Sequence, residues 1–85
     1  MRVLVVYCHP VSESFCAAVR DTALEALRAR GDDVRLTDLY SEGFDPVLSA
    51  DERLNMDGPP TDPRLAPHID NLRWAQAILF VYPTW

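Results

Sequence analysis

Lysine is absent from this sequence, so all eight basic residues are arginines, and thirteen Asp and Glu residues bring the formal net charge to -5. The arginines are scattered between Arg2 and Arg73 and form no basic patch. Because electrostatic binding to nucleic acids needs clustered cations against the phosphates, the composition argues against a nucleic-acid partner. A phosphate-binding loop of the Walker type needs a lysine, so it is excluded from this segment.

Glycine and cysteine are scarce as well. The three glycines are Gly31, Gly43 and Gly58, and none lies in a strand-to-helix turn, so the glycine-rich fingerprint of dinucleotide-binding proteins is missing. The two cysteines, Cys8 and Cys16, provide neither a metal-ligand spacing nor a disulfide framework. No metal site is predicted, and a reducing cytoplasm is the expected compartment.

Long hydrophobic runs are missing too. A membrane-spanning helix needs about 18 apolar residues, whereas the longest runs here, Val3–Cys8 and Ala77–Tyr82, have the length of strands. The first run breaks off at His9-Pro10, which argues against a secretory signal. We therefore expect a protein that is not integral to a membrane. The composition is globular, with 48% hydrophobic residues, and 85 residues make about half of an ordinary domain.

The hydrophobic pattern predicts three strands and two helices. Both long apolar runs lack alternation, which is typical of parallel strands covered on both faces. The segment Val34–Thr37 alternates apolar with polar residues, so it is expected at a sheet edge with its polar side in water. The first helix is predicted between an N-cap at Ser12 or Ser14 and a left-handed stop at Gly31. Its three-to-four spacing predicts one inward apolar stripe, made of Phe15, Ala18, Val19, Thr22, Ala23, Ala26 and Leu27.

The second half of the chain contains a long connection and another helix. Leu39–Pro60 is polar and rich in Gly, Pro and Asp, and a connection of this length indicates either a function or a packed excursion. The second helix is predicted from Pro67, which is tolerated only in a first turn. Ile69 and Leu72 are expected to face inward from it.

The resulting order is strand, helix, strand, loop, helix, strand, which predicts an α/β fold with a parallel sheet and right-handed crossovers. With the alternating strand outside, the strand order is 2-1-3, the first half of a flavodoxin-like three-layer sheet. A ligand would then bind at the carboxyl ends of strands one and three. A receiver domain shares this order but needs acidic residues there, and the sequence has Cys8-His9 and Tyr82-Pro83 instead.

The first of these strand ends leads directly into a helix. Backbone N–H groups and the dipole of the helix N-terminus favour a phosphate at such a corner, and Ser12 and Ser14 add hydroxyl donors. The second strand end carries Trp85, an aromatic side chain that suits a planar ring.

Three motifs in this order resemble the flavodoxin-like NAD(P)H:quinone oxidoreductases. They are His9-Pro10 with Ser14-Phe15, Asp38-Leu39-Tyr40 with Gly43-Phe44-Asp45-Pro46-Val47-Leu48, and Phe80-Val81-Tyr82-Pro83-Thr84-Trp85. The resemblance covers nearly the whole chain. It implies a flavoprotein that carries FAD or FMN, takes a hydride from NAD(P)H and reduces quinones by two electrons.

The resemblance also implies which residues hold the flavin. They are His9, Ser14, Phe15 and Cys16 at the phosphates, and Pro83, Thr84 and Trp85 along the ring. Relatives commonly have Asn where this chain has Cys16, so only a backbone contact is expected there. The pattern of the family continues beyond Trp85, so residues 1–85 are interpreted as the amino-terminal half of the flavin-binding domain, without the catalytic side chains and inactive alone. A homodimer is expected of the full-length form.

Two alternatives remain open from the sequence. The connection Leu39–Pro60 resembles that of members that use FAD, so FAD is favoured over FMN. The competing hypothesis is a truncated chain without catalysis that binds no flavin and associates through the edge of its last strand, Ile78–Val81.

Overall fold

A computed structural model of the protein describes residues 1–60 and 62–84. Its elements follow the predicted order, with an additional short helix and a 3₁₀ turn between the second strand and the last helix. The strands are β1 (Arg2–Tyr7), β2 (Asp33–Asp38) and β3 (Ala77–Val81), and the helices are α1 (Phe15–Ala29), α2 (Ala50–Leu54) and α3 (Ala66–Trp74), with a single 3₁₀ turn over Pro63–Leu65. Among the described residues, no helix is long and apolar enough to cross a membrane.

The three strands form a parallel sheet in the order β2-β1-β3, which confirms the predicted fold class and strand order. The register aligns Tyr7 of β1 with Asp38 of β2 on one side and with Val81 of β3 on the other. All three strands therefore end at the same edge of the sheet. The buried core is built around β1, whose Val5 is fully buried.

Both predicted ends of α1 are confirmed. Ser14 is the N-cap, and its hydroxyl oxygen accepts a hydrogen bond from the backbone N–H of Ala17 at 3.1 Å. Gly31 follows the helix with a φ of 84°, a left-handed conformation that suits glycine. The N–H of Gly31 donates to the carbonyl of Arg28, and the N–H of Asp32 donates to the carbonyl of Leu27. These are the two hydrogen bonds of a Schellman C-cap.

The predicted inward stripe of α1 is wrong for most of its residues, although Leu27 packs against the core as predicted. Ala17 and Leu24 are the buried residues of the helix, whereas Phe15 is 84% exposed and Val19 is 40% exposed. Helix α1 is thus rotated so that Ala17 and Leu24 pack into the core to which β1 contributes. Because alanines occur on both candidate faces, the three-to-four spacing fitted two faces of the helix and did not distinguish them.

The face of β2 that was expected in water is covered instead. Thr37 is buried and Leu36 is exposed, the reverse of the predicted pattern. Helix α3 covers this face with polar groups: Asn71 accepts a hydrogen bond from the guanidinium of Arg35 at 3.1 Å, and that guanidinium lies 4.2 Å from the centre of the Trp74 ring. Polar partners on the helix therefore allow a polar face of the strand to be covered.

The long connection contains structure of its own. Helix α2 begins with a capping box in which Ser49 and Glu52 exchange hydrogen bonds between side chain and backbone. In α3, Pro67 lies in the first turn as predicted, but Leu72 is 54% exposed and does not face inward. The sheet-facing residues of α3 include Asn71, which contacts both Arg35 and Thr37.

Candidate functional site

The carboxyl ends of the strands hold the two predicted site segments next to each other. The backbone N–H of Cys8 donates to the carbonyl oxygen of Val81 at 3.2 Å, one residue beyond the end of β1. On the other side, the N–H of Leu39 donates to the carbonyl oxygen of Tyr7 at 2.9 Å. The loop from β1 to α1 is thereby fixed between the segments that follow β2 and β3.

An apolar cavity of about 410 Å³ opens at the junction of β1 and β3. We call it the apolar cavity, and its wall consists of Val6, Cys8, Pro10, Leu39, Phe80, Tyr82 and Pro83. Its walls carry almost no polar groups, and its volume lies in the range of small-molecule sites. Such a cavity suits a planar aromatic ring.

The N-terminus of α1 is the candidate phosphate corner. The N–H groups of Phe15 and Cys16 belong to the first turn, where an α-helix offers no carbonyl partner of its own. The first turn carries no acidic side chain. The hydroxyl of Ser14 accepts from Ala17 and can still donate its own proton. Both the helix dipole and the donors favour an anion here.

His9 has a defined ring orientation. Its Nδ1 accepts a hydrogen bond from the backbone N–H of Val11 at 2.9 Å, which assigns the proton of the neutral ring to Nε2. The side chain contributes to a second cavity, of about 290 Å³, between the ends of β1 and β2. We call it the polar cavity, and its wall consists of Tyr7, His9, Pro10, Ser12, Arg20, Asp38, Tyr40 and Ser41.

The predicted site residues are distributed over three neighbouring places. His9 lies in the wall of the polar cavity, Ser14 caps α1, and Pro83 lies in the wall of the apolar cavity. Phe15 projects into solvent and Thr84 is exposed. The side chain of Cys16 is half-buried against the core, so its backbone is the part available at the phosphate corner. Trp85 lies outside the described residues.

Most residues of the polar cavity were not predicted as site residues, and Tyr7, Arg20 and Asp38 are among them. The guanidinium of Arg20 lies 4.5 Å from the centre of the Tyr7 ring and pairs with Asp21 at 2.9 Å. The hydrogen bond to Asp21 raises the pKa of Arg20 further, so this cation is permanently charged. Tyr7 and Asp38 had a signal in the sequence, because Tyr7 ends the first strand, and Asp38 ends the second and starts one of the three motifs.

No group of three or more His, Cys, Asp or Glu side chains within residues 1–60 and 62–84 is arranged to hold a metal ion. The two cysteines are free thiols.

Comparison with known proteins gives a match over the whole chain. The model of a family described as having a flavodoxin-like fold matches residues 1–85. NAD(P)H dehydrogenase (quinone) 1 of Cavia porcellus is 40% identical over 48 residues, which are 56% of this chain and 18% of that protein. Ribosyldihydronicotinamide dehydrogenase (quinone) of Mus musculus is 36% identical over 62 residues, which are 73% of this chain and 26% of that protein.

A solved structure extends the similarity to three dimensions. The NAD(P)H:quinone oxidoreductase from Methanothermobacter marburgensis superposes with a TM-score of 0.91 at 29% identity, over 100% of this chain and 45% of that one. The chain thus spans less than half the length of each of these relatives.

Proposed function

Since the chain belongs to the family of proteins with a flavodoxin-like fold, we propose that it is part of a flavin-dependent NAD(P)H:quinone oxidoreductase. The names of its relatives support a quinone-reducing oxidoreductase. The observation that carries the proposal is the position of the apolar cavity at the junction of β1 and β3, with Cys8 and Pro10 of the loop that leads into α1 in its wall. That arrangement suits a ligand with an aromatic ring at one end and a phosphate at the other.

The phosphate of the flavin is proposed to lie at the first turn of α1. Ser14 donates its hydroxyl proton, and the N–H groups of Phe15 and Cys16 point along the helix axis toward the anion. His9 adds an Nε2–H donor in the loop before the helix. Together these groups stabilise the negative charge without the need for a lysine.

The ring is proposed to lie in the apolar cavity against Pro83, followed by Thr84 and Trp85. Pro10 and Cys8 form the wall on the β1 side, so water is excluded from one face of the ring. The chemistry that a bound flavin would supply is two-electron transfer, from the hydride of NAD(P)H to a quinone. The contribution of this segment is to bind and orient, since none of its side chains is assigned a role in hydride transfer.

Several finer points belong to the same proposal. FAD is favoured over FMN because the connection after β2, with its Gly43-Phe44-Asp45-Pro46 motif, resembles that of family members that use FAD. Residues 1–85 are proposed to be one half of the flavin-binding domain, in keeping with the 45% of the methanogen structure that they cover. A homodimer in the cytoplasm is the expected form of the full-length protein, and these 85 residues alone are expected to be inactive.

Steady-state kinetics of the full-length protein test the proposal. If NAD(P)H and quinone use one site in turn, initial rates against NAD(P)H at several quinone concentrations give parallel double-reciprocal lines. The purified protein should also show flavin absorbance that NAD(P)H bleaches without oxygen and that quinone restores. Converging lines would point to a ternary complex, and bleaching that quinone does not reverse would contradict quinone reduction.

A further inference from the structure

We draw no further inference here: the strongest candidate, the outward apolar face of helix α1 formed by Phe15, Ala18, Val19, Thr22, Ala23 and Ala26, is an unpartnered helix face, and nothing in the structure shows what covers it.

Discussion

The guanidinium of Arg35 lies 4.2 Å from the centre of the Trp74 ring, so the edge strand β2 is connected to helix α3 by a cation stacked on an indole. The same guanidinium donates to Asn71 at 3.1 Å and to Asp70 at 3.3 Å. Three interactions of one side chain thus hold α3 against the sheet edge. This contact keeps the polar face of β2 covered.

Replacement of Arg35 by alanine is therefore expected to destabilise the fold. A partly exposed cation–π contact with its hydrogen bonds contributes about 1 kcal/mol. The free energy of unfolding from urea denaturation should fall by about that amount for Arg35→Ala. Arg73→Ala is the matched control, because Arg73 is an exposed arginine of α3, the helix that Arg35 contacts. Equal losses for the two variants would show that the stacked geometry contributes nothing specific.

The ion pair of Asp62 with Arg64 predicts a local pH dependence. Arg64 contacts the Asp62 carboxylate at 2.7 Å, and this hydrogen bond lowers the pKa of Asp62 below its usual value. A carboxyl whose folded pKa is lowered stabilises the fold above its unfolded pKa, at about 3.9, and that contribution is lost as the pH falls through the lower folded value.

A carboxyl-detected NMR titration measures the pKa of Asp62 directly. Arg64→Gln removes the cation, so the pKa of Asp62 should rise, while Arg53→Gln should leave it unchanged. A pKa for Asp62 that is insensitive to Arg64→Gln would show that the pair does not form in solution.

The outer edge of β3 predicts self-association. Among the described residues β3 pairs only with β1, and Phe80 is 61% exposed. An open apolar strand edge pairs with other chains unless a charge or a covering segment prevents it. Phe80→Lys should therefore raise the concentration at which the 85-residue chain dimerises in sedimentation experiments. Leu54→Lys adds the same charge at an exposed residue of α2 and should not. Equal effects of the two substitutions would contradict association through this edge.

The sequence allowed the order of the elements to be predicted because the signals were local. Unbroken apolar runs marked β1 and β3, and Ser14 and Gly31 marked the ends of α1. The capping box of Ser49 and Glu52 is also a local signal, and it could have predicted α2 inside the long connection.

The faces of the elements depended on packing and could not be predicted in the same way. The alanines of α1 fit either side of the helix, and the burial of Ala17 depends on its packing in the core with residues of β1. Thr37 is buried because α3 presents Asn71 to it, a partner 34 residues away in sequence. The polar cavity has the same origin, because Tyr7, Arg20 and Asp38 come from three separate elements.

The central claim is that a flavin phosphate lies at the N-terminus of α1, and two N-caps with the same geometry allow a matched test. The hydroxyl oxygens of Ser14 and Ser49 each accept from the backbone N–H three residues later at 3.1 Å. Aspartate is an equally good N-cap, so Ser14→Asp and Ser49→Asp should both keep their helices. Only the first substitution would place a carboxylate against the phosphate.

The decisive measurement is the flavin content of these two variants of the full-length protein, from flavin absorbance per polypeptide after purification, with far-UV circular dichroism to confirm the fold. The account predicts that Ser14→Asp loses most of its flavin and that Ser49→Asp retains it. Flavin content that is unchanged in Ser14→Asp would contradict a phosphate site at the start of α1.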